Sequence, residues 1–361
     1  MGPVFKKDSS FLYLASMMHE TNQSAAEWLE EWRKTPDPTI KHYDRDSVNY
    51  PVSLDRAWEQ SVGRLSKSAR ELLHRLVWMA PRPAGLPLEA FKTSGDWPSL
   101  RVALSELAKA SLISWPPGAN EISIHRVVQV VTRNRMSEQE KTSSLDGALA
   151  SIQAALPSPE WDVKGWKLWE QLASHCWTLL DRLRNHALEP KATRMMNELA
   201  RWFKNRAEHG EAEPLMRRAL AIDENNFGSE HLDVARDLNN LALLLRETSR
   251  FAEAESLMRR ALAIAQKNIG PDDPYVAICF NNLAELFHEM HRFPEAEPLY
   301  RRALAIDQKS FGPDHPNVAI RLNNLAELLH KTNRFTEAEP STDERWQSIK
   351  RASARIIPKW Q

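Results

Sequence analysis

Four asparagines recur at a fixed spacing in the second half of the chain and are the first candidates for binding chemistry. They are Asn197, Asn239, Asn281 and Asn323, each 42 residues after the one before. A carboxamide both donates and accepts hydrogen bonds, so a row of such side chains along a groove can hold the main chain of an extended peptide whatever its sequence. The spacing therefore predicts a peptide-binding row, with neighbouring charges selecting the side chains of the ligand.

Further side chains share the helical face of each asparagine, because they follow it by four or seven residues or, for Arg236, precede it by three. The predicted peptide-binding set is Asn197, Arg201, Arg236, Asn239, Leu243, Arg246, Asn281, Glu285, His288, Asn323, Glu327 and His330. An alternative is that the asparagines bridge adjacent helices and belong to the packing of the repeat. The second asparagine of each pair, such as Asn240, is predicted to be structural. His288 and His330 could face one another, but no third ligand is fixed by spacing, so no metal site is expected.

The elements that position these residues belong to a 42-residue repeat. Arg-Arg-Ala-Leu-Ala-Ile occurs at 217–222, 259–264 and 301–306, and Asn-Asn-Leu-Ala follows the same spacing. Apolar residues within a unit recur at i, i+3, i+4 and i+7, which predicts two amphipathic helices per unit. Pro274 and Pro316 are predicted to open first helices, where a missing N–H costs nothing. A period of this length predicts a helical solenoid.

These offsets resemble the tetratricopeptide repeat, and "RRALAI…FGPDHPNVAIRLNNLAELL" resembles the repeats of kinesin light chain and its bacterial and fungal relatives. The resemblance covers about residues 191–340. It implies a right-handed solenoid whose concave face is lined by the first helix of each pair, and it implies that asparagines at this place clasp extended peptides. The divergent basic tail, with Trp346 and Trp360, is predicted to cap the solenoid; contact with a membrane or a partner is the alternative.

The first half of the chain carries a different pattern. Helices are predicted at 54–65, 66–79 and 98–109, a proline-rich break at Ala80–Pro87, strands at Ser111–Trp115 and Glu121–His125, and a helix from Arg126. Three helices with a two-stranded hairpin predict a winged-helix domain. The would-be recognition helix, Ser99–Lys109, carries too few cations for DNA, so a protein-packing role is favoured over a DNA-binding regulator.

This segment resembles the winged-helix module that follows the nucleotide-binding core of NB-ARC-type signalling ATPases. The resemblance lies in Trp58-Glu59-Gln60-Ser61, in the helix Ala69–Met79 and in Ile122–Gln129. In that family a Met-His-Asp motif contains a histidine that senses ADP; His125 matches it, while Arg126 replaces the aspartate. The resemblance implies nucleotide contact by His125 when a nucleotide-binding core is present. The alternative is that His125 satisfies a nearby backbone carbonyl.

No GxxxxGK[ST] sequence occurs, so this chain is not expected to hydrolyse ATP. Lys plus Arg and Asp plus Glu each number 48, a balance that argues against a nucleic-acid binder. Glycine is scarce, at 11 residues, and Cys176 and Cys279 cannot form a disulfide framework. No apolar run approaches the ~20 residues that span a bilayer. No catalytic constellation, cofactor or metal is expected, and a cytoplasmic location is predicted.

The fold class predicted is all-α with a minor β wing. The predicted domains are a helical remnant and linker at 1–52, a winged-helix domain at 53–136, a helical connector at 137–190 and a tetratricopeptide solenoid at 191–361. The predicted function is that of an interaction scaffold that captures a peptide or partner protein. The alternative is a truncated NB-ARC-type ATPase.

Overall fold

The computed structural model describes residues 61–81, 84–92, 97–157 and 163–337. These residues belong to two compact units, one ending at Leu188 and the other beginning at Glu189. The predicted elements at 1–60, among them Trp58-Glu59-Gln60, and the predicted C-terminal cap with Trp346 and Trp360 lie outside the described residues. Helices predominate in both units.

The first unit combines helices with a small antiparallel sheet. Its elements are α1 (Lys67–Leu76), β1 (Leu86–Pro87), α2 (Glu89–Lys92), α3 (Trp97–Lys109), β2 (Ile113–Ser114), β3 (Glu121–Ile124), α4 (Arg126–Arg135), α5 (Glu138–Ala155) and α6 (Val163–Arg182). The strand order is β1-β3-β2, with Leu86 opposite Ile122 and Ile113 opposite Ile124. The predicted hairpin of β2 and β3 is therefore confirmed, and it is shorter than expected.

Strand β1 lies inside the segment predicted as a proline-rich break, so that prediction is wrong at its end. Pro87 lacks an N–H and is tolerated because β1 is an edge strand that pairs with β3 alone. Burial of Leu86 and a hydrogen bond from the Leu88 N–H to the Asn120 carbonyl (2.9 Å) hold the segment against the sheet. Packing thus outweighs the local signal of the prolines.

The second unit consists of helix pairs that follow one another along the chain. After a short 3₁₀ turn (Glu189–Ala192) come α7 (Thr193–Asn205), α8 (His209–Phe227), α9 (Leu232–Glu247), α10 (Phe251–Ile269), α11 (Pro274–Glu289), α12 (Phe293–Phe311) and α13 (Pro316–Lys331). Pro274 and Pro316 open α11 and α13, as predicted. Ala242, Ala254 and Ala261 are fully buried, which allows the close helix approach expected from their size.

Two kinds of turn connect these helices. The turns inside a pair use a non-glycine residue at positive φ, at Ala207, Ser249, His291 and Asn333 (φ 57° to 60°). The loops between pairs use Gly228, Gly270 and Gly312 (φ 82° to 87°), and a side chain there would be strained. Both sets are spaced by 42 residues, so every unit has the same chain path. Among the described helices, none is long and apolar enough to cross a membrane.

Candidate binding face and its supporting junctions

The asparagine row (Asn197, Asn239, Asn281 and Asn323) lies on the first helix of each pair, on α7, α9, α11 and α13. Asn239 and Asn281 are only 6% and 3% exposed, whereas Asn197 and Asn323 are half-buried. The row is therefore set into the surface. Any ligand that it holds must approach the side-chain amides closely.

In the two later pairs, the second asparagine supports the row from the next unit, whereas Asn240, which was predicted to be structural, has no side-chain hydrogen bond within the described ranges. Asn282 Nδ2 donates to Asn239 Oδ1 (3.0 Å), and Asn324 Nδ2 donates to Asn281 Oδ1 (2.9 Å). The side-chain oxygens of Asn239 and Asn281 therefore bridge adjacent helices, as the packing alternative expects. Asn239 Nδ2 has no hydrogen-bond partner within the described ranges, so this amide retains N–H donors for a ligand.

Two of the predicted flanking charges neutralise one another. Arg246 Nη1 lies 2.6 Å from Glu285 Oε2, and the same carboxylate accepts from Asn281 (2.6 Å) and Asn324 (3.2 Å). Both charged side chains are mostly buried. This network ties α9, α11 and α13 together, so Arg246 and Glu285 support the row and are not free to select a ligand.

Other predicted residues are more accessible. Arg201 lies 3.5 Å from Glu198 on its own helix, and Arg236 pairs with Asp233 at 2.7 Å while 56% of its side chain is exposed. Leu243 is half-buried, and Glu327 is exposed with no ion pair inside the described part of the chain. These side chains flank the row where a ligand can reach them.

His288 and His330 each pack on a phenylalanine of their own unit. The ring centroids of His288 and Phe293 are 5.5 Å apart, and those of His330 and Phe335 are 5.4 Å apart. Among the residues that the structure describes, no group of three His, Cys, Asp or Glu side chains could hold a metal ion. Ring packing within each repeat accounts for both histidines.

An apolar feature beside the row is missing from the predicted set. Ile278 and Ile320 are 37% and 51% exposed, and they occupy the position of Arg236 in the next two units. The signal that could have found them is the 42-residue offset from Arg236. This position of the repeat is basic at Arg236 and aliphatic at Ile278 and Ile320, so different units offer a ligand different contacts.

The buried junctions between successive units carry a second repeating position, which the sequence reasoning missed. At the first junction, Asp223 on α8 and Asp237 on α9 are 3% and 2% exposed, and each carboxyl group affects the pKa of the other. The positions 42 residues later are Ala265 and Cys279, both buried, at the second junction. At the third, Asp307 on α12 pairs with Arg321 on α13 (Oδ2 to Nε 2.9 Å).

The first junction holds two carboxyl groups with little to offset their charge. Burial raises the pKa of Asp237 to about 7, a hydrogen bond from Asn197 Nδ2 (2.6 Å) opposes the shift, and the charge of Asp223 adds to it. Burial likewise raises the pKa of Asp223, which also hydrogen-bonds to Thr193. His231 and Asp233 act on Asp223 from the start of α9 with opposite signs. The two buried carboxyl groups therefore retain a proton to a higher pH than exposed aspartates do.

A row of surface ion pairs, the edge ladder, links the turns of successive units. Arg250, Arg292 and Arg334 contact Glu213, Glu255 and Glu297 of the preceding unit, at 2.8, 2.6 and 2.6 Å. Each arginine also pairs with the glutamate three residues after it. The recurring Arg-Phe-x-Glu-Ala-Glu sequence is the signal that could have revealed this ladder.

His125 is the N-cap of α4. Its Nδ1 accepts a hydrogen bond from the Val127 N–H (3.3 Å), so this nitrogen contacts a backbone N–H, whereas the alternative named a backbone carbonyl. His231 and His315 cap α9 and α13 in the same way. Helix capping thus accounts for the placement of His125 without a nucleotide.

Comparison with known proteins identifies the repeats. The tetratricopeptide repeat family matches residues 192–267, 238–309 and 275–341, so this part of the chain consists of tetratricopeptide repeats. A domain of unknown function (DUF7779) matches residues 87–141. No curated protein matches the chain significantly.

Several solved structures are similar to this chain. A Q17M variant with nearly identical TPR-like repeats, described as a kinesin light chain of Podosopora anserina, is 18% identical with a TM-score of 0.48, over 61% of this chain and 100% of that chain. BtubC (BKLC) from P. vanneervenii is 19% identical with a TM-score of 0.43, over 84% and 95%. Rap protein in complex with Competence and Sporulation Factor is 12% identical with a TM-score of 0.47, over 73% of each chain.

Proposed function

We propose that the tetratricopeptide repeats of residues 192–341 form an interaction scaffold that binds an extended peptide segment of a partner protein along the asparagine row. The observation that carries the proposal is the fixed amide of Asn239, whose carbonyl is held by Asn282 while its N–H donors have no partner among the described side chains. An amide anchored at its oxygen is pre-organised to donate, which lowers the entropic cost of binding a ligand.

The donors of the row suit the main-chain carbonyls of a ligand. Asn323 is half-buried and, within the described ranges, also lacks a hydrogen-bond partner. Two such donors on different repeats contact a peptide at separate points, whatever its side chains. Arg201, Arg236 and Glu327 flank the row as exposed or half-buried charges, and in this proposal they select among ligand sequences.

For the first unit, we propose a winged-helix domain, whose described part spans 61–81, 84–92 and 97–136, followed by a helical connector at 137–190. The order helix, strand, two helices and hairpin supports this assignment over its described part. The ADP-sensing alternative has no support from the geometry of His125, because Nδ1 serves as a helix cap. The scaffold function therefore rests on the repeats alone.

The decisive test changes one atom of the row. In Asn239→Asp the side chain keeps an acceptor for Asn282 but loses both N–H donors. An array of short peptides, probed with the full chain, identifies ligands whose affinity is then measured by fluorescence anisotropy. We expect the substitution to weaken binding at least tenfold while the circular dichroism spectrum stays unchanged.

Asn240→Asp is the matched control, because it adds the same charge one residue away at a half-buried asparagine with no partner within the described ranges. The control is expected to bind peptides within about twofold of the parent. Equal losses in the two variants, or equal retention, would show that the donors of Asn239 do not hold the ligand.

A further inference from the structure

A polar groove of about 710 Å³ lies between α1 and α5 in the first unit. Its α1 wall presents Lys67, Arg70, Glu71, His74 and Arg75, and its α5 side presents Gln139, Glu140, Ser143 and Ser144. Among the α1 residues, Lys67 and Arg70 are three positions apart and Glu71 and Arg75 are four apart, so the set lies on one side of that helix. The groove is therefore lined by four basic side chains and two acidic ones.

The cations of this groove are poorly neutralised. Arg75 is half-buried and has no ion pair within the part of the chain that the structure describes. Arg70 makes one long hydrogen bond, to the Val62 carbonyl (3.4 Å), and the well-exposed Lys67 lies 3.9 Å from Glu71. A half-buried guanidinium carries five donors that protein groups or ligands ordinarily satisfy.

The carboxylate of Glu140, on the α5 side of the groove, is already hydrogen-bonded. Glu140 Oε2 accepts from both the main-chain N–H and the hydroxyl of Ser137 (2.8 Å each), which forms the capping box of α5. These hydrogen bonds lower the pKa of Glu140 and keep its carboxylate at the helix start. Among the described residues, no carboxylate pairs with Arg75, so the groove keeps positive charge there.

Gly147 makes room for this arginine. A Cβ at position 147 would lie 3.1 Å from Arg75 Nε and 3.5 Å from Arg75 Cδ. Glycine is an unfavourable residue in the interior of a helix such as α5, and no positive φ requires it here. The close approach of Arg75 gives this glycine its structural role, so the guanidinium lies against α5 beside the groove.

We propose that the groove between α1 and α5 binds a small phosphate-bearing molecule, anchored by the guanidinium groups of Arg70 and Arg75. Guanidinium groups bind phosphate oxygens through paired N–H donors, and the volume is that of ordinary small-ligand sites. Lys67 adds positive charge at the rim, and the hydroxyl of Ser143 adds a donor. This site is separate from the asparagine row and does not depend on the scaffold function.

His74 reports on occupancy without being an anchor. Burial lowers the pKa of His74, with Glu140 opposing and Arg70 reinforcing the shift. An anion bound between Arg70 and Arg75 stabilises the protonated imidazole and raises this pKa. The His74 ring signals in NMR spectra at several pH values therefore measure the His74 pKa, which is a readout of anion binding independent of calorimetry.

The test titrates the full chain with inorganic pyrophosphate and, separately, with inorganic phosphate. The heat of binding and the His74 ring signals are measured, and sodium chloride at matched ionic strength is the reference. We expect saturable pyrophosphate binding and an upward shift of the His74 pKa that chloride does not reproduce. Arg75→Gln should weaken binding at least tenfold, and Gly147→Ala should weaken it by displacing Arg75.

Arg64→Gln is the matched control, since Arg64 is exposed and does not line the groove. It should bind pyrophosphate within twofold of the parent, and circular dichroism checks that every variant stays folded. An effect equal to that of matched chloride, or equal affinities in Arg75→Gln and Arg64→Gln, would overturn the proposal.

Discussion

The first and third junctions between repeats occupy equivalent places in the repeat, and each accommodates a buried carboxyl group in a different way. In both, a carboxyl group on the second helix of one unit is almost completely buried against the first helix of the next, at Asp223 and at Asp307. Asp223 meets another carboxyl group, Asp237, whereas Asp307 meets the guanidinium of Arg321. One repeat geometry therefore accommodates either two buried carboxyl groups or a buried ion pair.

The two solutions differ in what the neighbour does to the buried acid. Burial raises the pKa of both Asp223 and Asp307. Arg321 opposes that shift at the third junction, while the charges of Asp223 and Asp233 reinforce the shift in the pKa of Asp237 at the first. The second junction, with Ala265 and Cys279, has no charge at this position and serves as an internal reference. Because repeats contact mainly their neighbours, stability can differ from one junction to the next.

Breaking the ion pair of the third junction should have the largest effect. Arg321→Met keeps most of the side-chain volume but leaves Asp307 buried without its partner. Loss of one member of a buried pair costs about 3–5 kcal/mol in the free energy of unfolding. Urea unfolding at pH 8, followed by circular dichroism, measures the loss.

The internal reference supplies the control for this change. Asp307→Ala with Arg321→Cys copies the uncharged second junction, and replacing both partners of a buried pair is often close to neutral. We expect the double variant to be clearly more stable than Arg321→Met. If it is equally unstable, lost packing rather than an unpaired charge explains the single variant.

The first junction should make stability depend on pH. The folded-state pKa of Asp237, about 7, lies above its unfolded value, so the folded chain binds the extra proton more tightly. Its stabilising contribution is complete near pH 4, is lost as the pH rises to about 7 and stays lost above it. A shift of this size corresponds to about 2–4 kcal/mol. Urea unfolding midpoints at pH 5 and pH 8 measure the change.

Asp237→Asn removes the titrating group and keeps an acceptor for Asn197, so it should abolish most of this pH dependence. Asp233→Asn, on the exposed start of the same helix, is the matched control and should leave most of it in place. A pH response that is the same in the parent and in Asp237→Asn would assign it to other groups. The buried carboxyl groups of the first junction would then not make its stability depend on pH.

The sequence predicted the repeat more successfully than the contacts between its units. Apolar spacing and Pro274 located the helices, because those signals act within one unit. The backbone of Ser249 has a positive φ without being glycine, so no local signal indicated this conformation. The asparagine row was predicted on one helical face, but the hydrogen bond from Asn282 to Asn239 joins residues 43 positions apart and depends on how the units stack.

The buried acids escaped prediction for a related reason. An aspartate inside an amphipathic helix indicates solvent exposure, since isolated carboxylates are rarely buried. Only alignment at the 42-residue offset connects Asp223 with Asp307, and their burial follows from the packing of α8 against α9 and of α12 against α13. Strand β1 was missed in the same way, because burial of Leu86 outweighed the local effect of Pro87.

The edge ladder gives the smallest effect and tests whether the contrast is confined to the buried pairs. Arg250 crosses the first junction to Glu213, and Arg334 crosses the third to Glu297, with similar geometry. Arg250→Ala and Arg334→Ala should each lower the free energy of unfolding only slightly, because exposed ion pairs are weak and screened by salt. The two losses, measured by urea unfolding in 0.05 M and 0.5 M sodium chloride, should agree with each other and shrink together at high salt. Unequal losses would mean that the junctions differ at their surfaces as well, and the pH effect could then no longer be assigned to Asp237 and its neighbour alone.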